Sequence, residues 1–263
     1  MSASLILGLL TQLIKNKLLF IVAVLLLSSC ASNEKSFRSG VYRLAAPVTL
    51  GVARNIYAEA HFDIPTGENW VALTIDDAPN STATQKILEL LAGSTGDPHA
   101  TFFIVGEYGA NHPALLQAIK DGDHELGNHT YVDSPTVEMT LTEFVTSVER
   151  TNSVLRDYLD EDDPKWFRPA YARYTSQQAG YLRDFRNYEI ALGNAYPYDF
   201  GDNNIAAAIR HIKRFVRPGA IIILHDGPEN GLRTVQILEQ ILPWLSGEGY
   251  SVKTLSELYE SMD

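Results

Sequence analysis

From about residue 68 to the C-terminus, short apolar runs alternate with stretches patterned as helices, and no other feature restricts the fold as tightly. Val71–Ile75 reads as a buried strand, followed by a helix over Thr82–Leu91. Ala100–Val105 is the next strand and Pro113–Lys120 the next helix. A short strand near Glu125 leads to a helix over Leu141–Leu159. Further strands fall at Trp166–Arg168, Tyr188–Leu192, Ala220–Leu224 and Tyr250–Thr254, with a helix over Leu232–Leu245. Repeated strand–helix alternation predicts a mostly parallel sheet with helices outside it. About seven such units in roughly 195 residues suit an α/β fold of the distorted, closed or nearly closed (β/α) barrel type better than an open sheet. No internal repeat or low-complexity tract is visible, so residues 68–263 read as one catalytic-size domain.

Composition narrows the function classes. Apolar residues make up 45% of the 263 and charged ones 20%, a globular balance. Lys plus Arg number 21 against 32 Asp plus Glu, a net charge of -11 with no basic cluster, which argues against nucleic-acid partners. A single cysteine excludes an internal disulfide framework and any Cys-rich zinc module.

That cysteine, Cys30, ends the run Leu18–Cys30, which follows Lys15 and Lys17. The apolar core of roughly ten residues is too short to span a bilayer as a helix and fits a cleaved secretory signal over 1–29. Leu27-Ser28-Ser29-Cys30 resembles a bacterial lipobox, which implies lipidation of Cys30 and a lipid-anchored protein of the cell envelope. Ala31 after the cysteine leans that expectation towards the outer membrane. Met1–Ile14 is a second apolar stretch, so either the signal is unusually long or translation starts downstream of Met1. Residues 30–67 are expected to serve as tether and lead-in.

In β/α barrels active sites gather at the C-terminal ends of the strands. Here those ends carry Asp76-Asp77-Ala78-Pro79, Gly127-Asn128-His129-Thr130 with Asp133 beyond, Arg168-Pro169-Ala170-Tyr171, Tyr198-Asp199-Phe200 and His225-Asp226. Adjacent residues on an extended strand point to opposite sides, so Asp76 and Asp77 are expected to do different jobs. His129 and Asp133 would share one face if their segment were helical, a spacing that suits chelation. An ionisable pair ending the buried strand before His225 is costly without a purpose.

Together these residues resemble the polysaccharide deacetylases of carbohydrate esterase family 4. Five ordered motifs have counterparts: Thr74-Ile75-Asp76-Asp77-Ala78-Pro79, His129-Thr130-Tyr131-Val132-Asp133, Arg168-Pro169-Ala170-Tyr171, Asp199-Phe200 and Leu224-His225-Asp226. The resemblance implies that Asp77, His129 and Asp133 hold a divalent metal with an open position for water and substrate. It makes Asp76 the general base, oriented by Arg168, and His225 the general acid, tuned by Asp199. The backbone N–H of Tyr171 would assist the oxyanion, and Leu224 and Phe200 would shape a small pocket for the acetyl methyl. Asp133 stands where the family has a second histidine, a harder ligand set that weakens the preference for Zn2+ relative to Mn2+ or Fe2+, although affinity order still favours zinc. Ala78, Ala170 and Phe200 are further departures. The expected activity is removal of N-acetyl groups from an envelope or extracellular polysaccharide, with O-acetyl ester hydrolysis and non-catalytic glycan binding as the competing readings.

Overall fold

A computed structural model describes residues 48–159, 165–199, 204–228 and 230–262. The signal sequence, Cys30, the tether up to residue 47 and Phe200 lie outside them. Seven parallel strands form one curled sheet: β1 (Trp70–Ala78), β2 (Ala100–Ile104), β3 (Glu125–Asn128), β4 (Trp166–Phe167), β5 (Glu189–Ile190), β6 (Ile221–His225) and β7 (Ser251–Lys253). The order is β5-β4-β3-β2-β1-β6, and β7 pairs with the first residues of β1. This is the distorted barrel expected from the alternation, with strand ends shifted by a few residues.

Between them run α1 (Thr84–Ala92), α2 (Gly106–Asn111), α3 (Pro113–Asp121), α4 (Leu141–Leu155), α5 (Ser176–Arg186), α6 (Ile205–Phe215), α7 (Gly231–Gly247) and α8 (Leu255–Glu260). Three of these begin where the sequence encodes a reciprocal cap. Thr140 with Glu143, Thr175 with Gln178 and Thr254 with Glu257 each satisfy two of the backbone N–H groups left over at a helix start. The helix expected to run to Leu159 stops at Leu155 and tightens into a 3-10 turn over Arg156–Tyr158.

Strand alternation divides the core. Leu73, Ile75, Phe102, Ile104, Ile222 and Leu224 face outward and pack with Ile87 and Leu91 of α1 and with Ile237 and Ile241 of α7. Thr74, Asp76, Ile223 and His225 occupy the alternate positions and face the barrel interior. The catalytic-type residues are therefore on the same strands as the core, one position out of phase with it.

Among the described residues no strand pair joins β5 to β6. The gap is filled by irregular chain: Ala195 bridges Ile222, His61 bridges Ala191, and Asp63 bridges Ala220. Ile64 donates its N–H to Gly219 O at 2.9 Å. Gly219 sits at φ 81°, and a Cβ there would lie 2.1 Å from Ile64 O, so only glycine allows this approach. A helix over 48–56 precedes these residues. Its Leu50 and Ala53 pack with Tyr57, Phe62, Phe167 and Leu192. The chain from residue 48 onward, counted above as lead-in, is thus built into the barrel wall.

Candidate active site

The site begins with an irregularity in β1. Ile75 pairs with Phe102 but Ala78 pairs with Ile104, so β1 carries one more residue than β2 across that interval. This is a β-bulge. Asp77 takes φ 61°, in the left-handed region. Simple alternation would send Asp76 and Asp77 to opposite faces, and that expectation fails here: both line the same cavity.

Asp76 is buried and its Oδ1 accepts from Arg168 Nη1 at 2.5 Å. Arg168 is itself buried and held on three further sides. Its Nε donates to Ala191 O at 2.8 Å, its Nη1 to Thr74 Oγ1 at 2.7 Å, and its guanidinium carbon lies 4.1 Å from the centre of the Phe103 ring. A guanidinium so fixed can hold a carboxylate in one orientation.

His129 follows β3, and its Nδ1 lies 2.7 Å from Arg168 O. Donation to a carbonyl fixes a proton on Nδ1 and turns Nε2 to the cavity; burial pushes the imidazole down, but Asp77 and Asp76 outweigh it and raise it above its usual value. Nε2 faces Asp77 Oδ1 at 3.5 Å. Burial pushes the Asp77 carboxyl up, but the His129 and His225 imidazoles outweigh it and hold it below its usual range. His129 and Asp133 do not share a helix face as the spacing had suggested: Thr130 is at φ 67° and the segment is a run of bends. Asp133 stands exposed on the rim of the same cavity. Its carboxyl is raised by desolvation and then by the charge of Asp77.

Across the cavity, His225 Nδ1 lies 2.8 Å from Asp199 Oδ1, and the His225 backbone N–H donates to Asp199 Oδ2 at 2.9 Å. Arg233 Nη1 donates to Asp199 O at 2.8 Å, and Thr234 Oγ1 to His225 O at 2.7 Å. Burial alone would push the His225 imidazole down; Asp199 more than reverses this, and the imidazole is pushed up to about 10. It is a cation at neutral pH and lines the cavity.

The cavity of about 640 Å³ is lined by Asp76, Asp77, His129, Asp133, Arg168, Tyr171 and His225, among others. Asp199 buttresses it from behind His225. Tyr171 sits in a 3-10 turn over Ala170–Ala172 at φ 61°, with its ring 64% exposed. Leu224 is not a wall residue. It lies one position out of phase on β6 and belongs to the outer core, while Ile223 and His225 line the cavity. Thr74, Phe103, Ile223 and Tyr196, whose ring centre is 5.8 Å from that of His225, were not read from the sequence. Only Thr74 carried a signal, as a hydroxyl inside an apolar strand.

The donor set partly fits a metal ion. Two donors at about 2.1 Å from a tetrahedral ion stand about 3.4 Å apart. The 3.5 Å between His129 Nε2 and Asp77 Oδ1 matches that separation, with Nδ1 engaged by the Arg168 carbonyl and Nε2 turned to the cavity. The expected trio is not drawn together, however. Among the described residues no group of three His, Cys, Asp or Glu side chains is close enough to hold an ion. The turn at Thr130 leaves Asp133 on the rim.

Comparison with known proteins agrees with this geometry. Residues 63–188 match the polysaccharide deacetylase family, a stretch that includes Asp76 to Tyr171 but ends before Asp199 and His225. A peptidoglycan-N-acetylglucosamine deacetylase of Bacillus cereus is 28% identical over 214 residues, covering 75% of this chain and 91% of its own. A chitooligosaccharide deacetylase of Sinorhizobium fredii is 28% identical over 204 residues, 73% of this chain and 93% of its own. The crystal structure of a peptidoglycan N-acetylglucosamine deacetylase superposes with TM-score 0.71 at 27% identity, covering 76% of this chain and 92% of that one. An acetyl xylan esterase of Clostridium thermocellum in complex with a cobalt ion gives TM-score 0.64 at 30% identity, covering 73% and 90%. A pseudoenzyme of the same family from Bacillus anthracis shares the fold at TM-score 0.67 and 23% identity, covering 75% and 67%. Fold alone therefore does not carry activity; the side chains must.

Proposed function

The chain belongs to the polysaccharide deacetylase family, and from that premise we propose that it hydrolyses N-acetyl groups on a glycan of the bacterial envelope, with Asp76 as base and His225 as acid. The observation that carries this reading is the pairing of opposite charges in one cavity. Asp76 is paired with the Arg168 guanidinium at 2.5 Å, and His225 is held as an imidazolium by Asp199. A binding module needs neither.

Asp76 takes a proton from the attacking water, and Arg168 keeps its oxygens aimed. The C–O bond forms as that proton leaves, giving a tetrahedral oxyanion; His225 Nε2 then delivers its proton to the amide nitrogen, the C–N bond breaks, acetate and a protonated amine leave, and the proton on Asp76 restores His225. The Tyr171 N–H would steady the oxyanion between those events. Asp77 and His129 would hold a divalent ion, with Asp133 as the remaining carboxylate of the set, and zinc is the first choice by affinity order. Such an ion supplies Lewis acidity to the acyl carbonyl and acidity to water.

An ester reading has its own support in the acetyl xylan esterase relative, since the same water attack suits an O-acetyl group. The envelope location and lipid anchor rest on the Leu27–Cys30 pattern alone. Substitution separates the roles. Asp76→Asn should abolish turnover of N-acetylglucosamine oligomers while metal content is kept, and His129→Ala should lose both. Asp133→His should tighten zinc binding, and unchanged affinity would remove Asp133 from the ligand set.

A further inference from the structure

The cavity is far larger than an acetyl group requires. It measures about 640 Å³, whereas a methyl group fills little more than the ~30 Å³ of a water molecule. It also has two dissimilar sides. One carries the ionisable groups at the strand ends. The other runs into the gap between β5 and β6, where no strand pair among the described residues closes the barrel, and is lined by Leu50, Ala53, Tyr57, Phe62, Leu192 and Ile223. Asn194 and His211 are the polar groups on that side.

Ile223 connects the two. It lies two residues before His225 on β6, on the same inward face and about 7 Å deeper along the strand. Gly193 packs against it so closely that an added Cβ would lie 2.6 Å from Ile223 Cδ1. Leu192 and Phe62 continue the apolar wall, and the 48–56 helix closes it with Leu50 and Ala53 on its inner face. A polymer with its amide between Asp76 and His225 leaves along the rim, where Asp133 and Tyr171 are exposed. Its acyl group then points inward, along Ile223 and into this annex.

We propose that the annex admits unbranched acyl chains longer than acetyl, so that the protein also hydrolyses amino sugars carrying butyryl or hexanoyl amides. The proposal rests on the amide-hydrolase reading above. The chemistry is unchanged: water adds its oxygen to the acyl carbon, the C–N bond breaks, and a fatty carboxylate and a protonated amine are released. What differs is the burial of additional methylenes, each of which can raise kcat/KM by up to about fourfold.

The test compares N-acetyl-, N-butyryl- and N-hexanoyl-glucosamine oligomers of equal length with the full chain and added zinc, following amine release. The expected result is a kcat/KM for hexanoyl at or above that for acetyl. Ala53→Trp, which fills the annex from the helix side, should lower the hexanoyl-to-acetyl ratio at least tenfold. A wild-type ratio below one-tenth would overturn the proposal. So would an Ala53→Trp loss equal on all three substrates, which would assign the annex to the glycan. Hydrolysis of acetyl alone refutes only the annex, whereas hydrolysis of none of them refutes the amide-hydrolase reading itself.

Discussion

Asp199→Asn should convert an enzyme that works in mild alkali into one confined to acid. His225 is pushed up to about 10 because Asp199 faces its Nδ1 at 2.8 Å. Without that carboxylate, burial again opposes only the smaller effects of Asp77 and Asp76, and the imidazole returns to about its ordinary value of 6.5. At pH 8 the protonated fraction then falls from nearly one to about 0.03, a loss of roughly thirtyfold in kcat/KM, while at pH 6 only about a quarter is lost. Stability moves in the same direction. A histidine raised in the folded state contributes fully below its unfolded value of about 6.5, and that contribution disappears as pH rises through about 10. Breaking the buried pair should cost on the order of 3–5 kcal/mol at neutral pH. The assay is acetate release from pH 5 to 10 for both proteins, alongside urea unfolding at pH 7. Alkaline limbs that superimpose, or variant activity at pH 8 within threefold of wild type, would refute the claim that Asp199 holds the catalytic proton on His225.

Arg168→Met should destabilise by about 3–5 kcal/mol, because Asp76 would remain buried without its cation; a urea-derived loss below 1 kcal/mol would mean that the pair is solvated. Asp226 is fully buried, and burial pushes its carboxyl up to about 7. The folded state therefore keeps a proton that the unfolded chain releases above about 4, and stability falls as pH rises from there to about 7. Asp226→Asn should raise Tm at pH 8 and lose that advantage near pH 4, and an equal Tm difference at both pH values would contradict this. His124 is pushed down to about 4 by burial and then by His99. Stability should fall as pH drops from about 6.5 to 4, while the unfolded chain alone takes up the proton. Tm against pH should decline less steeply in His124→Gln, and parallel curves would count against the assignment.

The barrel was legible because its strands are apolar runs too short for helices, and because each functional group follows such a run. What escaped the pattern is local backbone geometry. The bulge that brings Asp77 beside Asp76 depends on one extra residue in β1 and a left-handed φ, and nothing in Thr74–Pro79 encodes that visibly. The same holds for the turn at Thr130 that keeps His129 and Asp133 off a common helix face. Leu224 was placed in the cavity from its neighbour in the motif, yet strand phase sends it to the outer core and Ile223 inward. The 48–56 helix was missed because its inner face, Leu50 and Ala53, is too short a periodic stretch to stand out, and two of its partners, Phe167 and Leu192, lie more than a hundred residues away. Long-range partners such as Asp199 for His225 were reached through the resemblance, since no spacing pattern links residues so far apart in sequence.

The central claim is that Asp76 and His225 act on the amide of an N-acetylated sugar. It is tested most directly by acetate release from chitooligosaccharides and peptidoglycan fragments with zinc or manganese added, using Asp76→Asn as the blank. Metal-dependent release above that blank is the predicted result. Release equal in wild type and Asp76→Asn, or none with either metal on either substrate, would contradict it.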